Sequence, residues 1–293
     1  MRKQFVNTIE NILTTDERLV LLLGDIGVWG FNKALALYPE RVYNIGILEQ
    51  STVGLAAGLA MSGFIPVIHT IAPFLVERSY EQLKLDFCYQ KMGGNFLSIG
   101  GSYDYAALGC THHCPGDVGI LKNLPGMEII LPGTAQEFDT LFRDTYANGH
   151  PTYFRLSDRP NKNSYNVKFG KAEILQRGNL ATIVAVGHTL NHVLEACTGM
   201  DVTILYYTTV TPFDSETLKN NSASGKILLC EPYYKGGLTA EIAEALSLRP
   251  IVIDSIGVPK RFLSNYGSAD EHDLNIGLSA ININKKLKKL IYG

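Results

Sequence analysis

One acid stands out in the stretch RVYNIGILEQSTVGLAAGLAMSG, residues 41–63. Glu49 follows a strand-like lead of Val42, Tyr43 and Ile45, and precedes a helix-like run of mostly Gly, Ala and Leu. Burial among small apolar groups penalises a carboxylate's charge and raises its pKa, which suits a group that must share a proton. The plainer alternative is a helix-entry glutamate, stabilised by the macrodipole by about 0.3–1 kcal/mol. A second cluster is CTHHC, Cys110 to Cys114, whose side chains are zinc-ligand types. Its four potential ligands lie within five residues and cannot all reach one tetrahedral ion, and no second Cys/His cluster completes a set. No metal site is therefore expected in this chain.

The elements around these residues read as strands alternating with helices, the pattern of a mainly parallel sheet covered on both faces. RLVLLLGDIG is a buried strand and turn, PVIHTIAP another strand, and FLVERSYEQLKLDFCYQ has apolar residues at helical spacing. NFLSIGG, MEIIL and PTYFRLS add strands, with a helix over AQEFDTLFRDTY. The polar, turn-rich segment SDRPNKNSYNVKFGKAEIL then reads as an interdomain connection. Beyond it, NLATIVAVGH, MDVTILYY, KILLCEP and PIVIDSIG provide four short strands with helices between them. The expected organisation is a larger α/β domain over residues 1–163 and a smaller α/β domain over residues 164–293.

The 293 residues, 46 % hydrophobic and 18 % charged, describe a globular chain with ample core. A net charge of -2 with no long single-sign run argues against nucleic acid, and KKLKKLIYG reads as the solvated end of a last helix. The opening MRKQFVNTIENIL is too polar for a signal peptide, and no window approaches the roughly 18 apolar residues of a membrane span. Five scattered cysteines suit reduced thiols in a cytoplasmic protein. No strand leads into G-x-G-x-x-G, so nicotinamide binding has no support.

In their order, the motifs resemble the C-terminal half of transketolase and its relatives. They are GDIG at 24–27, NIGILEQSTVGLAAGLAMSGFIPV at 44–67, FLVERSYEQ at 74–82, THH with GDVGILKNLPGMEIILPGTAQEF at 111–138, and PTYFRLSDRP at 151–160. VAVGH, TPFD and EPYYKGGL follow in the second unit. The resemblance implies a thiamine-diphosphate-binding fold followed by a transketolase C-terminal domain. It also gives Glu49 a task, a hydrogen bond to N1′ of the aminopyrimidine ring of thiamine diphosphate. Phe74 and Ile71 fall where the family lines the pyrimidine pocket, usually with an aromatic in place of Ile71. His112 matches the family histidine that faces substrate near the reactive carbon, and His113 stands where many relatives carry Gln, one layer behind. Arg159 lies near the family's phosphate-holding arginine, with Arg155 a competing candidate because the spacing differs by one residue. Arg2 resembles another arginine that reaches substrate phosphate.

Departures from the family pattern cluster on the substrate side. Leu108 stands where sugar-phosphate relatives carry an acid, and a phosphate-binding histidine would fall near Gly100 or Gly101. The loop after GDIG is short. These changes imply a kept cofactor and an altered, less phosphorylated or unusual sugar. The chain also lacks the Gly-Asp-Gly motif that holds the diphosphate through a divalent ion, and Asp25 and Asp117 read as turn or structural residues. The resemblance therefore implies a separate N-terminal transketolase subunit carrying that domain and its Mg2+ or Ca2+, in an α2β2 assembly. The leading reading is the pyrimidine-binding subunit of a split transketolase moving a two-carbon ketol unit from ketose to aldose. A 2-oxo acid dehydrogenase β subunit, half of a deoxyxylulose-phosphate-synthase-like enzyme, and a noncatalytic transketolase-like scaffold remain as alternatives.

Overall fold

The computed structural model describes residues 1–293. Twelve strands form two sheets. They are β1 Leu19–Leu23, β2 Val42–Asn44, β3 Ile65–Ile71, β4 Gly94–Ile99, β5 Glu128–Ile130, β6 Pro151–Arg155, β7 Ala172–Gln176, β8 Thr182–Val186, β9 Thr203–Tyr207, β10 Thr209–Thr211, β11 Lys226–Tyr234 and β12 Val252–Val258. The first sheet has the order β10-β5-β6-β4-β3-β1-β2, and the second β12-β11-β8-β9-β7. Only the edge strands β10 and β7 run antiparallel to their neighbours. Runs such as LVLLL in β1 and TIVAV in β8 are buried at every residue, because helices cover both faces of a parallel sheet.

Two features were not expected from sequence. AEILQ, at the end of the turn-rich connection, is the strand β7, which brings the second sheet to five strands. β10 follows directly on β9 yet pairs with β5, so residues from the second half of the chain close the edge of the first sheet. The apolar core is likewise shared: Phe5, Leu97 and Phe154 belong to one buried cluster with Ile183, Ile204 and Ile283.

Helix Arg2–Leu13 buries Phe5, Ile9, Ile12 and Leu13, an apolar stripe at helical spacing, and so lays its N-terminus near the ends of the central strands. From β1 the chain moves to β2 on one side. It then returns through helix Glu49–Met61 to β3 on the other side of β1. That reversal is a topological switch point, and open α/β sheets bind ligands beside such points, at the C-terminal strand ends.

Candidate active site

Glu49 is the first residue of the helix that makes this crossing. Gly46, with φ of 84°, turns the chain into it, a left-handed conformation that favours glycine. The Glu49 side chain is 2 % exposed. Its Oε1 accepts a 3.4 Å hydrogen bond from Thr70 Oγ1 on β3, and its Oε2 a 2.7 Å bond from Arg78 Nη1. The small, apolar surroundings expected from sequence are thus corrected: a guanidinium compensates the charge that burial penalises. Arg78 reaches Glu49 from the segment Phe74–Arg78, which is wound with the wide π-helical spacing. The same segment sets the Arg78 Cζ 4.3 Å from the centroid of the Phe74 ring.

This geometry tests whether the residues suit an aminopyrimidine. The guanidinium is planar, lies over an aromatic face and directs N–H toward a buried carboxylate. An aminopyrimidine has the same flat shape and can offer a protonated ring nitrogen, so the guanidinium stands in for it and the residues fit. Arg78 went unmarked in the sequence, although its four-residue separation from Phe74 on a helical segment was a legible signal.

The next wall comes from the loop after β4. His112 ends a short helical turn, with its ring edge-on to Phe74 at 5.6 Å and 6.3 Å from Tyr105. Its Nδ1 lies 3.0 Å from Thr111 Oγ1. Ile71 is buried at the end of β3. A Cβ on Gly100 would lie 2.4 Å from the Tyr105 ring and 3.2 Å from Ile71, so these two side chains flank that glycine. Tyr105 therefore supplies aromatic surface beside Ile71, another contribution not singled out from sequence.

The side chains of CTHHC diverge. Cys110 is exposed, while Cys114 is buried and donates its thiol to Glu77 Oε1. Burial pushes the Glu77 carboxyl up, and the nearby Asp117 charge adds to this against the thiol's hydrogen bond. His113 turns away from His112 and sets its ring 5.5 Å from buried His272 of the second half. No three His, Cys, Asp or Glu side chains converge as a metal-ligand set anywhere in the chain.

The arginines separate. Arg155 is corrected as a substrate contact: it is enclosed, donating 2.6 Å from Nε to Asp117 Oδ2, with side chains 1 % and 0 % exposed. Its Nη2 donates to Ser102 Oγ and to the Pro232 carbonyl. A Cβ on Gly101 would meet that guanidinium at 2.6 Å, so Arg155 fills the space in which the family's histidine would fall. Arg159 donates 2.6 Å to Asp273 Oδ2, with Asp104 Oδ1 3.7 Å from its Nε. Burial pushes the Asp104 carboxyl up, against the pull of the Arg159 and Arg155 charges. Burial also works against the Asp273 charge, but the hydrogen bond from His192 and the Arg159 cation outweigh it and hold that carboxyl below its usual range. Arg2 remains at the rim, donating 2.9 Å to Tyr105 Oη and 2.8 Å to Asp158 Oδ2. Asp25, in a left-handed turn, receives a hydrogen bond from Asn44, and Asp117 is the buried partner of Arg155.

Comparison with known proteins gives the chain its family. The family description "Transketolase, pyrimidine binding domain" matches residues 1–162, and "Transketolase, C-terminal domain" matches residues 170–281. An uncharacterized 33.6 kDa protein in the fasciation locus of Rhodococcoides fascians is 35 % identical over 98 % of this chain and 93 % of its own. A subunit of the apulose-4-phosphate transketolase of Phocaeicola vulgatus is 31 % identical over 97 % of this chain and 95 % of its own. A solved structure described as a split gene transketolase, inactive beta4 tetramer, superposes with a TM-score of 0.88 at 26 % identity, covering 99 % of this chain and 97 % of that one. With both domain descriptions matched in order and relatives aligned end to end, the chain belongs to the transketolase family.

Proposed function

We propose that this chain is the pyrimidine-binding subunit of a split, thiamine-diphosphate-dependent transketolase that moves a two-carbon ketol unit from a ketose to an aldose. The observation that carries this reading is the convergence of buried Glu49, the Phe74 face and a planar N–H donor at the switch point of the first sheet. Thiamine diphosphate, when bound, supplies the electron sink that a polypeptide lacks. Glu49 Oε2 would accept the hydrogen bond of a protonated ring nitrogen, Phe74 would stack on the ring, and Ile71 with Tyr105 would close the pocket beside it. His112 keeps Nδ1 near Thr111, which leaves Nε2 to exchange a hydrogen bond or proton with a substrate hydroxyl. Arg78 would have to release Glu49 as the ring enters.

The diphosphate and its Mg2+ or Ca2+ belong, on this reading, to a separate N-terminal transketolase subunit, with two copies of each chain. Support comes from the exposed apolar side chains around the switch point: Ile47 and Leu48 precede Glu49, Leu55 lies along its helix, and Trp29 is 90 % exposed. The solved relative, described as an inactive tetramer of beta subunits, supports the same need for a partner. No helix is long and apolar enough to cross a membrane. The test is reconstitution: this chain, an N-terminal transketolase half, thiamine diphosphate, magnesium and a ketose–aldose pair. Ketol transfer only with both chains present is expected. Activity with pyruvate alone as donor would favour the dehydrogenase or synthase alternative, and assembly without any turnover would favour the scaffold.

A further inference from the structure

We propose that Asp158 sets the class of sugar accepted: the part of the substrate lodged beyond His112 carries free hydroxyls rather than a phosphate. This rests on the ketol-transfer reading and narrows its substrate.

Three arginines are the candidates for holding a phosphate, and each is already engaged. Arg155 is sealed against Asp117. Arg159 is tied to Asp273 and lies beside Asp104. Only Arg2 stands at the open end, and a carboxylate, Asp158, is bonded to it at 2.8 Å. The pair belongs to the same wall as the candidate catalytic groups. Arg2 holds Tyr105, the Tyr105 ring meets His112 edge-on, and His112 meets Phe74 edge-on, with Arg78, the partner of Glu49, over the Phe74 ring. Arg2 and Asp158 side chains are 46 % and 44 % exposed, so both remain accessible to an incoming molecule. Asp158 uses only Oδ2 toward Arg2, which leaves Oδ1 to accept further hydrogen bonds.

The chemistry of that pair discriminates between ligands. A phosphate brought to Arg2 meets a carboxylate sharing the same guanidinium, and like charges at that range repel. A sugar hydroxyl has no such conflict. It donates to Asp158 Oδ1 and accepts from Arg2, as vicinal hydroxyls can from a paired cation and anion. Two family substrate-side positions are lost, since Leu108 is apolar and Gly101 has no room for a side chain, while the Met1 ammonium lies near Asp158 and shares its charge with Arg2.

Two measurements test this. In the reconstituted complex, kcat/KM is compared for xylulose and xylulose 5-phosphate, with the wild-type chain and with Asp158→Ala. In parallel, inorganic phosphate is titrated calorimetrically into the intact chain and its Asp158→Ala form. The wild type should prefer the free ketose by roughly tenfold or more, the scale of a hydrogen bond to a charged group. Asp158→Ala should lower that value, raise the value for the ester, and bind phosphate about tenfold more tightly. A wild-type preference for the ester, an unchanged ratio in the variant, or equal phosphate affinities would overturn the proposal. If neither ketose turns over, the ketol-transfer reading falls, and the phosphate titration still decides the role of Asp158.

Discussion

Arg78 donates a 2.7 Å hydrogen bond to Oε2 of Glu49, the one acid that opens the crossing helix of the first sheet. The pair ties a residue on the pocket wall to the residue proposed to hold the pyrimidine nitrogen. It also lets the chain keep a carboxylate buried without leaving it unpaired.

Glu49→Gln keeps the volume and one acceptor oxygen but removes the charge. A proton-sharing group contributes about 10²–10⁴-fold, so ketol transfer in the reconstituted complex should fall by that order. Assembly, followed by sedimentation, should be unchanged, because the side chain is enclosed within its own subunit. Activity within a few-fold of wild type would remove Glu49 from the mechanism.

Phe74→Ala removes the ring on which the Arg78 guanidinium now lies. Stacking on an aromatic adds about 0.5–1.5 kcal/mol beyond burial, so thiamine diphosphate should bind the complex some 2–12-fold more weakly. A cofactor titration at fixed substrate measures this. The loss should fall on cofactor affinity more than on the rate at saturation.

How much of this was legible beforehand depended on range. The fully buried strands and the odd acid at position 49 announce themselves within a few residues, because apolar runs and an out-of-place charge are local signals. β7, at the end of a turn-rich segment, is only partly buried and lies on an antiparallel edge, so it reads as a linker. β10 has three residues, and its partner β5 lies far back in the chain. The arginines misled for the same reason. Arg155 and Arg159 are fixed by Asp117 and Asp273, 38 and 114 residues away, and no spacing rule reveals charges paired over such separations.

The enclosed Arg155–Asp117 pair is expected to act on stability. Removing one partner of a buried ion pair costs about 3–5 kcal/mol, because the other charge is left unpaired, whereas replacing both by apolar groups is often close to neutral. Asp117→Ala should therefore lower the denaturation midpoint sharply. The double replacement Asp117→Leu with Arg155→Met should recover more than half of that loss. If the double variant were as unstable as the single one, the pair's role would lie elsewhere, for instance in fixing the Tyr153 hydroxyl that also donates to Asp117.

His113 and His272 meet across the two halves of the chain, both buried, with neither ring nitrogen of either residue hydrogen-bonded. Burial, then the neighbouring imidazole, pushes His113 below the usual histidine range. Burial also lowers His272, against the pull of Asp273 and Glu271. Tyr103 packs on His272 and the Arg159 charge acts on it, while His112 and the backbone of Tyr105 and Ala106 lie beside His113. A histidine whose folded pKa lies below its unfolded value near 6.5 takes up its proton more readily when unfolded. Its contribution is therefore intact above about pH 6.5 and is lost as pH falls, by at most about 1.4 kcal/mol per histidine per pH unit. His69, lowered to about 4, and His188 respond in the same direction, so the informative quantity is a difference between variants. Between pH 7.5 and 5.5, His272→Leu should lose less Tm than the wild-type chain does. Parallel losses in the two proteins would show that the seam between the halves tolerates a charged imidazole.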